Sequence, residues 1–347
     1  MSGPNGAGGR PGPDGGSEVT GYATKTPGRP AGRRRKRGGA ETLMVPEADF
    51  RSYYGRQILK SPTWARLDIA GYLFGGGFAA AASSMAALAD VSGHRSLVRI
   101  GRLTAAAGMG ASLVGLVHDL GRPERFTNML RVFKPTSPMS VGTYIISPFS
   151  GLAFAAAAGD VTGKLPTLTR IAGAGAAVIA PAVATYTAVL VADTAVPAWH
   201  ETYRQLPFVF AGSAVLAGGS IGTLLGATED SGPSRRMMVI GGAVELGAGE
   251  VMERSLGVVG ENFHQGRAGA LMKAAKASSA AAVVGAMLAR RFPVLGRLAG
   301  VLGIAGSVLT RFGIFEAGIQ STEDPRYVVV PQRERLAREG RASADTR

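Results

Sequence analysis

The chain has 347 residues, a net charge of +14, no cysteine and only 18% charged residues, with a positive mean hydropathy of +0.15. Soluble proteins carry about a quarter charged residues, so an ordinary soluble globule is excluded. So are disulfides, cysteine-ligated zinc and an iron–sulfur cluster held by this chain alone.

Residues 1–45 form a basic arm rich in Gly, Pro and Arg, with "GRRRKRGG" at 32–39, and its composition predicts disorder. A solvated arm beside anionic membrane lipid is preferred to a nucleic-acid contact. Residues 46–66 read as an amphipathic interfacial segment, with Tyr53, Tyr54 and Trp64 near the membrane boundary.

Eight apolar runs of about 20 residues follow, the length that crosses hydrocarbon. They lie near 67–89, 98–119, 139–159, 170–193, 206–227, 235–253, 268–290 and 293–316. Stretches such as "GFAAAASSMAALA" lack the polar face of a soluble bundle helix. The expected fold is an all-α integral membrane protein, an eight-helix polytopic bundle over 67–320 with a tail at 321–347. Gly71 with Gly75, and Gly108 with Ser112, repeat at the spacing that lets helices approach closely. The Arg-rich arm and tail place both termini on the cytoplasmic side of the cell (plasma or inner) membrane.

On that reading, ionisable groups gather at one end. Asp68 opens span one, His118 and Asp119 close span two, and Asp193 ends span four, followed by Trp199 and His200. Tyr186 lies about 10 Å inside, two turns from the end of span four. Each aspartate alone can be a helix cap at the headgroups. The adjacent pair His118–Asp119, followed by Arg122 and Arg125, is harder to explain that way, because charge near hydrocarbon is costly unless paired or wet. An apolar slot with Tyr or His donors and a carboxylate route to water suits a quinone, which takes up or releases protons with electrons. The four His sit at or outside the ends of the apolar runs, so no haem is expected.

Deeper charges interrupt the second half: Glu245, Glu250 and Glu253 on span six, Lys273 and Lys276 on span seven, Arg311 and Glu316 on span eight. They read either as structural ion pairs, Lys273 or Lys276 with Glu250, or as a proton path.

The stretches "HDLGRPERFTNMLRVFKPTSPMSVGTY" (118–144), "YTAVLVADTAVPAWHE" (186–201) and "GIFEAGIQSTEDPRY" (313–327) resemble the polysulfide reductase membrane-subunit family, NrfD/PsrC. The resemblance implies a haem-free, quinone-binding anchor for menaquinone or ubiquinone. It implies two partners, a ferredoxin-like subunit with four iron–sulfur clusters and a molybdopterin catalytic subunit. It also implies that Tyr186 matches the family's quinone tyrosine, with Asp68 and Tyr72 as the polar residues of span one and His118 and Asp119 at the acidic end of span two. Competing expectations are an ion-coupled secondary transporter using Glu245, Glu250 and Lys273, and a passive tether. No repeat between the halves is visible in the sequence.

Overall fold

The computed structural model describes residues 57–345 except 121, 123 and 125–127. The basic arm, Tyr53, Tyr54 and Arg125 lie outside the described residues.

Eight long helices follow the apolar runs: α1 Arg66–Ser92, α2 Arg95–Asp119, α3 Pro138–Thr162, α4 Pro166–Ala192, α5 Leu206–Leu225, α6 Gly232–Ser255, α7 Gly266–Leu288 and α8 Pro293–Glu323. Their boundaries carry helix-breaking chemistry. Prolines stand in the first turn of α3, α4, α5, α6 and α8. Gly93 and Gly163 take left-handed backbone at the ends of α1 and α3. A helical turn, Pro197–His200, lies between α4 and α5, and a 3₁₀ segment, Gly257–Phe263, between α6 and α7. The tail is helical as well, α9 at Arg326–Asp345. No strand occurs among the described residues.

The helices form two four-membered rings. In the first, α1 packs on α2, α2 on α3, α3 on α4, and α4 closes back on α1; α5 to α8 repeat the pattern, and α1 joins the rings by packing on α5 and α8. Both rings begin at the same end of the molecule. This duplication was invisible in the sequence because it lies in the packing order, not in shared residue types. Gly75 contributes to the tight α1–α2 crossing: a Cβ there would lie 3.0 Å from Gly108 O and 3.1 Å from Ser112 Cβ, whereas Gly71 meets nothing within 4 Å.

Seven helices among the described residues are long and apolar enough to cross a membrane; α6 is the long ring helix that does not qualify. Its charges explain the low average. Glu245 is buried, while Ile240, Val244 and Val251 are the exposed large apolar side chains.

Candidate functional site

The polar residues of the first ring that the sequence singled out collect at the end where α1 begins. An apolar cavity of about 90 Å³ opens there between α1, α2, α3 and α4. Its polar lining is Tyr72 of α1, Asp119 of α2, Thr143 of α3 and Tyr186 of α4; Leu, Ile, Met and Val line most of the remainder, and Trp64 closes one side. Both tyrosines are buried, yet neither hydroxyl has a hydrogen-bond partner among the described residues. The cavity is smaller than the ~300 Å³ lower range of ligand pockets. Met129 is partly buried and Met139 about half exposed in its lining, and methionine rotates and repacks readily.

The segment before α3 builds this site. Ser137 caps the helix, its Oγ accepting from Ser140 N–H at 3.4 Å. Ser140 Oγ accepts from Lys134 N–H at 2.9 Å and donates to Val132 O at 3.2 Å. Tyr144 donates its hydroxyl to Leu130 O at 2.9 Å. One turn along, Gly142 leaves room for the Tyr186 ring, which a Cβ would overlap. The motif thus anchors the α2–α3 connection and seats the tyrosine together.

His118 and Asp119 face different ways. Asp119 lines the cavity, and its Oδ1 accepts the Ala65 N–H at 2.9 Å. It therefore does act as a cap, for the first turn of α1, where free N–H groups and the helix dipole favour a carboxylate. His118 lies instead in an adjoining open cleft of about 650 Å³ shared with the second ring. Its Nδ1 is 2.7 Å from Asp68 Oδ2. Arg66 and Glu316 line the same cleft, 3.5 Å apart. The structure therefore splits the grouping expected from sequence: Tyr186, Tyr72 and Asp119 share the cavity, while His118 and Asp68 share the cleft.

Trp199 does not present a docking face. It is fully buried, its Nε1–H donates to Ile314 O at 2.8 Å, and it stacks on Trp64 at 5.6 Å and meets Phe315 at 5.5 Å. Gly318 on α8 gives up side-chain space to it. Trp199 thus separates cavity from cleft. Asp193 and His200 are exposed nearby, with His200 Nδ1 3.2 Å from Ala192 O. Arg122 is also exposed.

The second ring holds two polar groups. Deep inside, Glu245 accepts from Thr310 Oγ1 and, at 3.2 Å, from Ser279 Oγ; Ser213 bonds Ser307 at 2.8 Å. Arg311 lies at the joint of the rings. It donates to Phe210 O at 2.7 Å and to Leu73 O at 3.3 Å, and stands 3.7 Å over the Phe210 ring. Its buried Nη1 has no partner among the described residues. Nearer the α1 end, Lys276 pairs with Glu253 at 2.6 Å and reaches Glu250 only at 4.0 Å. Glu250 bonds Arg254 at 2.9 Å, and Lys273 is exposed. The expected Lys–Glu250 pair is thus a Lys276–Glu253 pair, because Glu250 turns to its own helix neighbour.

Sequence reading overlooked a charged cluster at the far end of the first ring. Arg102 is buried against Asp160 at 2.9 Å and Asp90 at 3.5 Å, and Arg170 adds a 3.0 Å contact to Asp90. Arg102, standing with Arg99 inside an apolar run, was the available signal.

A family model described as Polysulphide reductase, NrfD matches residues 60–235, half of the chain. No curated protein matches.

Proposed function

Because the chain belongs to the NrfD polysulphide reductase family, we propose that this multi-pass membrane protein is the quinone-reactive anchor of a multi-subunit oxidoreductase. The observation that carries the reading is the apolar cavity with two phenol hydroxyls that lack a partner among the described residues. Such a surface suits a flat apolar ring bearing carbonyl oxygens, menaquinone or ubiquinone. The ring enters by displacing Met129 and Met139, since the closed volume is too small for it.

A quinone bound there exchanges two electrons together with two protons. Tyr186 and Tyr72 donate hydrogen bonds to its oxygens, and the apolar walls keep water away. Asp119, at the cavity wall, accepts or returns a proton. His118, its neighbour in the chain, stands with Asp68 in the wet cleft and exchanges that proton with solvent, a task suited to imidazole near neutral pH. The Glu245 group and Arg311 extend this polar line into the second ring and form a route for proton translocation. Glu316 links that route to the cleft, with the Glu253–Lys276 pair at its edge.

Electrons come from or go to a ferredoxin-like four-cluster subunit serving a molybdopterin enzyme. Arg122, Asp193 and His200 lie on the exposed surface at the cavity end, where such a partner docks. We assign α6 as an eighth span, because its exposed side is apolar and its central carboxylate faces inward. The termini and the cavity end face the cytoplasm, on the strength of the basic arm and tail.

The test is purification in mild detergent with whatever accompanies the chain, followed by turnover with quinone and with an artificial dye. Tyr186→Phe should depress the quinone rate and spare the dye rate. Equal rates in the variant with both acceptors would leave a passive tether. A chain that purifies alone and free of iron would point to a transporter.

A further inference from the structure

At the opposite end from the cavity, the second ring carries a group of guanidinium side chains. Arg235 and Arg236 stand in the first two turns of α6, and Arg290 lies just beyond α7. Among the described residues none of the three forms an ion pair. Asp230, the nearest acid in the chain, is engaged by Ser96 Oγ. The three arginines border one cleft of about 570 Å³ between α6 and α7, and its floor is Val239, Ile240, Ala286 and Met287. Ile240 and Met287 are more than half exposed, on the outer surface of the ring.

Two features of this cleft argue for one occupant. Its rim is cationic and lies at the helix ends, the depth of the headgroups. Its floor is apolar and continues down helices that belong to the membrane bundle. A soluble anion would use the rim and leave the floor wet; a neutral lipid would use the floor and leave three unpaired cations. We propose that the cleft between α6 and α7 binds an anionic phospholipid, with its phosphate among Arg235, Arg236 and Arg290 and an acyl chain along Ile240 and Met287. Basic pockets between membrane helices hold anionic lipid headgroups by this chemistry. The site does not depend on the quinone reading.

The experiment reconstitutes the full chain in phosphatidylcholine vesicles with and without phosphatidylglycerol, then extracts it and counts retained lipid by native mass spectrometry. Wild type should retain phosphatidylglycerol in preference to phosphatidylcholine. The triple variant Arg235→Gln, Arg236→Gln, Arg290→Gln should bind it about a hundredfold more weakly, roughly fivefold for each cation removed. Ala286→Trp, which fills the floor and keeps every arginine, should also release it and guards against a misfolded triple variant. Undiminished retention in both variants, or equal retention of phosphatidylcholine by wild type, would overturn the site. Displacement of the lipid by inorganic phosphate alone would assign the rim to a free anion instead and would equally overturn it.

Discussion

Gly142 on α3 yields its side-chain space to the ring of Tyr186 on α4, so that any Cβ at 142 would occupy the position of the tyrosine edge. The tyrosine's place in the cavity is thereby set by a residue with no side chain. Gly142→Ala should displace Tyr186 and cost about 1–3 kcal/mol as an overpacked contact. The quinone-linked rate should fall while the dye-linked rate holds. A full quinone rate in a folded Gly142→Ala protein would show that the seat is irrelevant to the reaction.

Tyr186→Phe removes a donor and keeps the packing. On the proposed reading it lowers quinone-linked turnover by about 10²-fold, the loss typical of one preorganised donor. Steady-state rates with quinone and dye, measured side by side, check this.

His118→Ala should have a smaller effect. Its side chain is 77% exposed in the cleft, so water can stand in for it, and the loss should stay below the ~10²-fold usual for general acid–base groups. A larger loss than that of Tyr186→Phe would place His118 at the quinone rather than on the way to solvent.

Glu245→Gln keeps one acceptor oxygen for the two hydroxyls of Thr310 and Ser279 and offers an NH2 to the other as donor, and should leave thermal stability near wild type. Glu245→Ala takes the acceptor from Ser279 Oγ, while Thr310 keeps the Gly306 carbonyl, and should cost about 1–3 kcal/mol. If the second ring carries protons, the Gln variant keeps its electron rate but moves fewer protons across the vesicle membrane per electron pair. An unchanged ratio would reduce the Glu245 group to a structural one.

Trp199→Ala should be the most destabilising of these changes, at about 3–5 kcal/mol for an emptied aromatic site. It also removes the second bond to the Ile314 carbonyl and the stack on Trp64 at the cavity wall. Thermal unfolding in detergent reads the first effect, and the quinone rate of the surviving folded fraction reads the second.

The helices were legible because each apolar run is bounded by proline, glycine or charge. Their depth followed from counting residues, and so Tyr186 and Asp119 could be placed toward the same end, two turns apart in depth. Azimuth could not be counted. His118 and Asp119 are adjacent, yet a helix turns by about 100° per residue, enough to send one to the cleft and the other to the cavity. Gly142 was illegible for another reason: its contribution is an absence of atoms, visible only when the ring that fills the gap is seen. Arg102 and Asp160 find each other across 58 positions of chain, a separation that no local pattern encodes. Lys276 took Glu253 over Glu250 because Arg254 had already claimed the latter from one turn away.

Each ring closes on itself, α4 returning to α1 and α8 to α5, and the two meet chiefly through a pair of inner helices. Such a plan is modular. The portion matched to the family ends in the first turn of α6, so it takes in the whole of one module and only the inner wall of the other. The remaining helices hold the buried carboxylate and the arginine-rimmed cleft on a frame already complete without the cavity. Changes to that half reach the cavity through α8, whose Gly318 and Ile314 seat Trp199 against the cavity's Trp64.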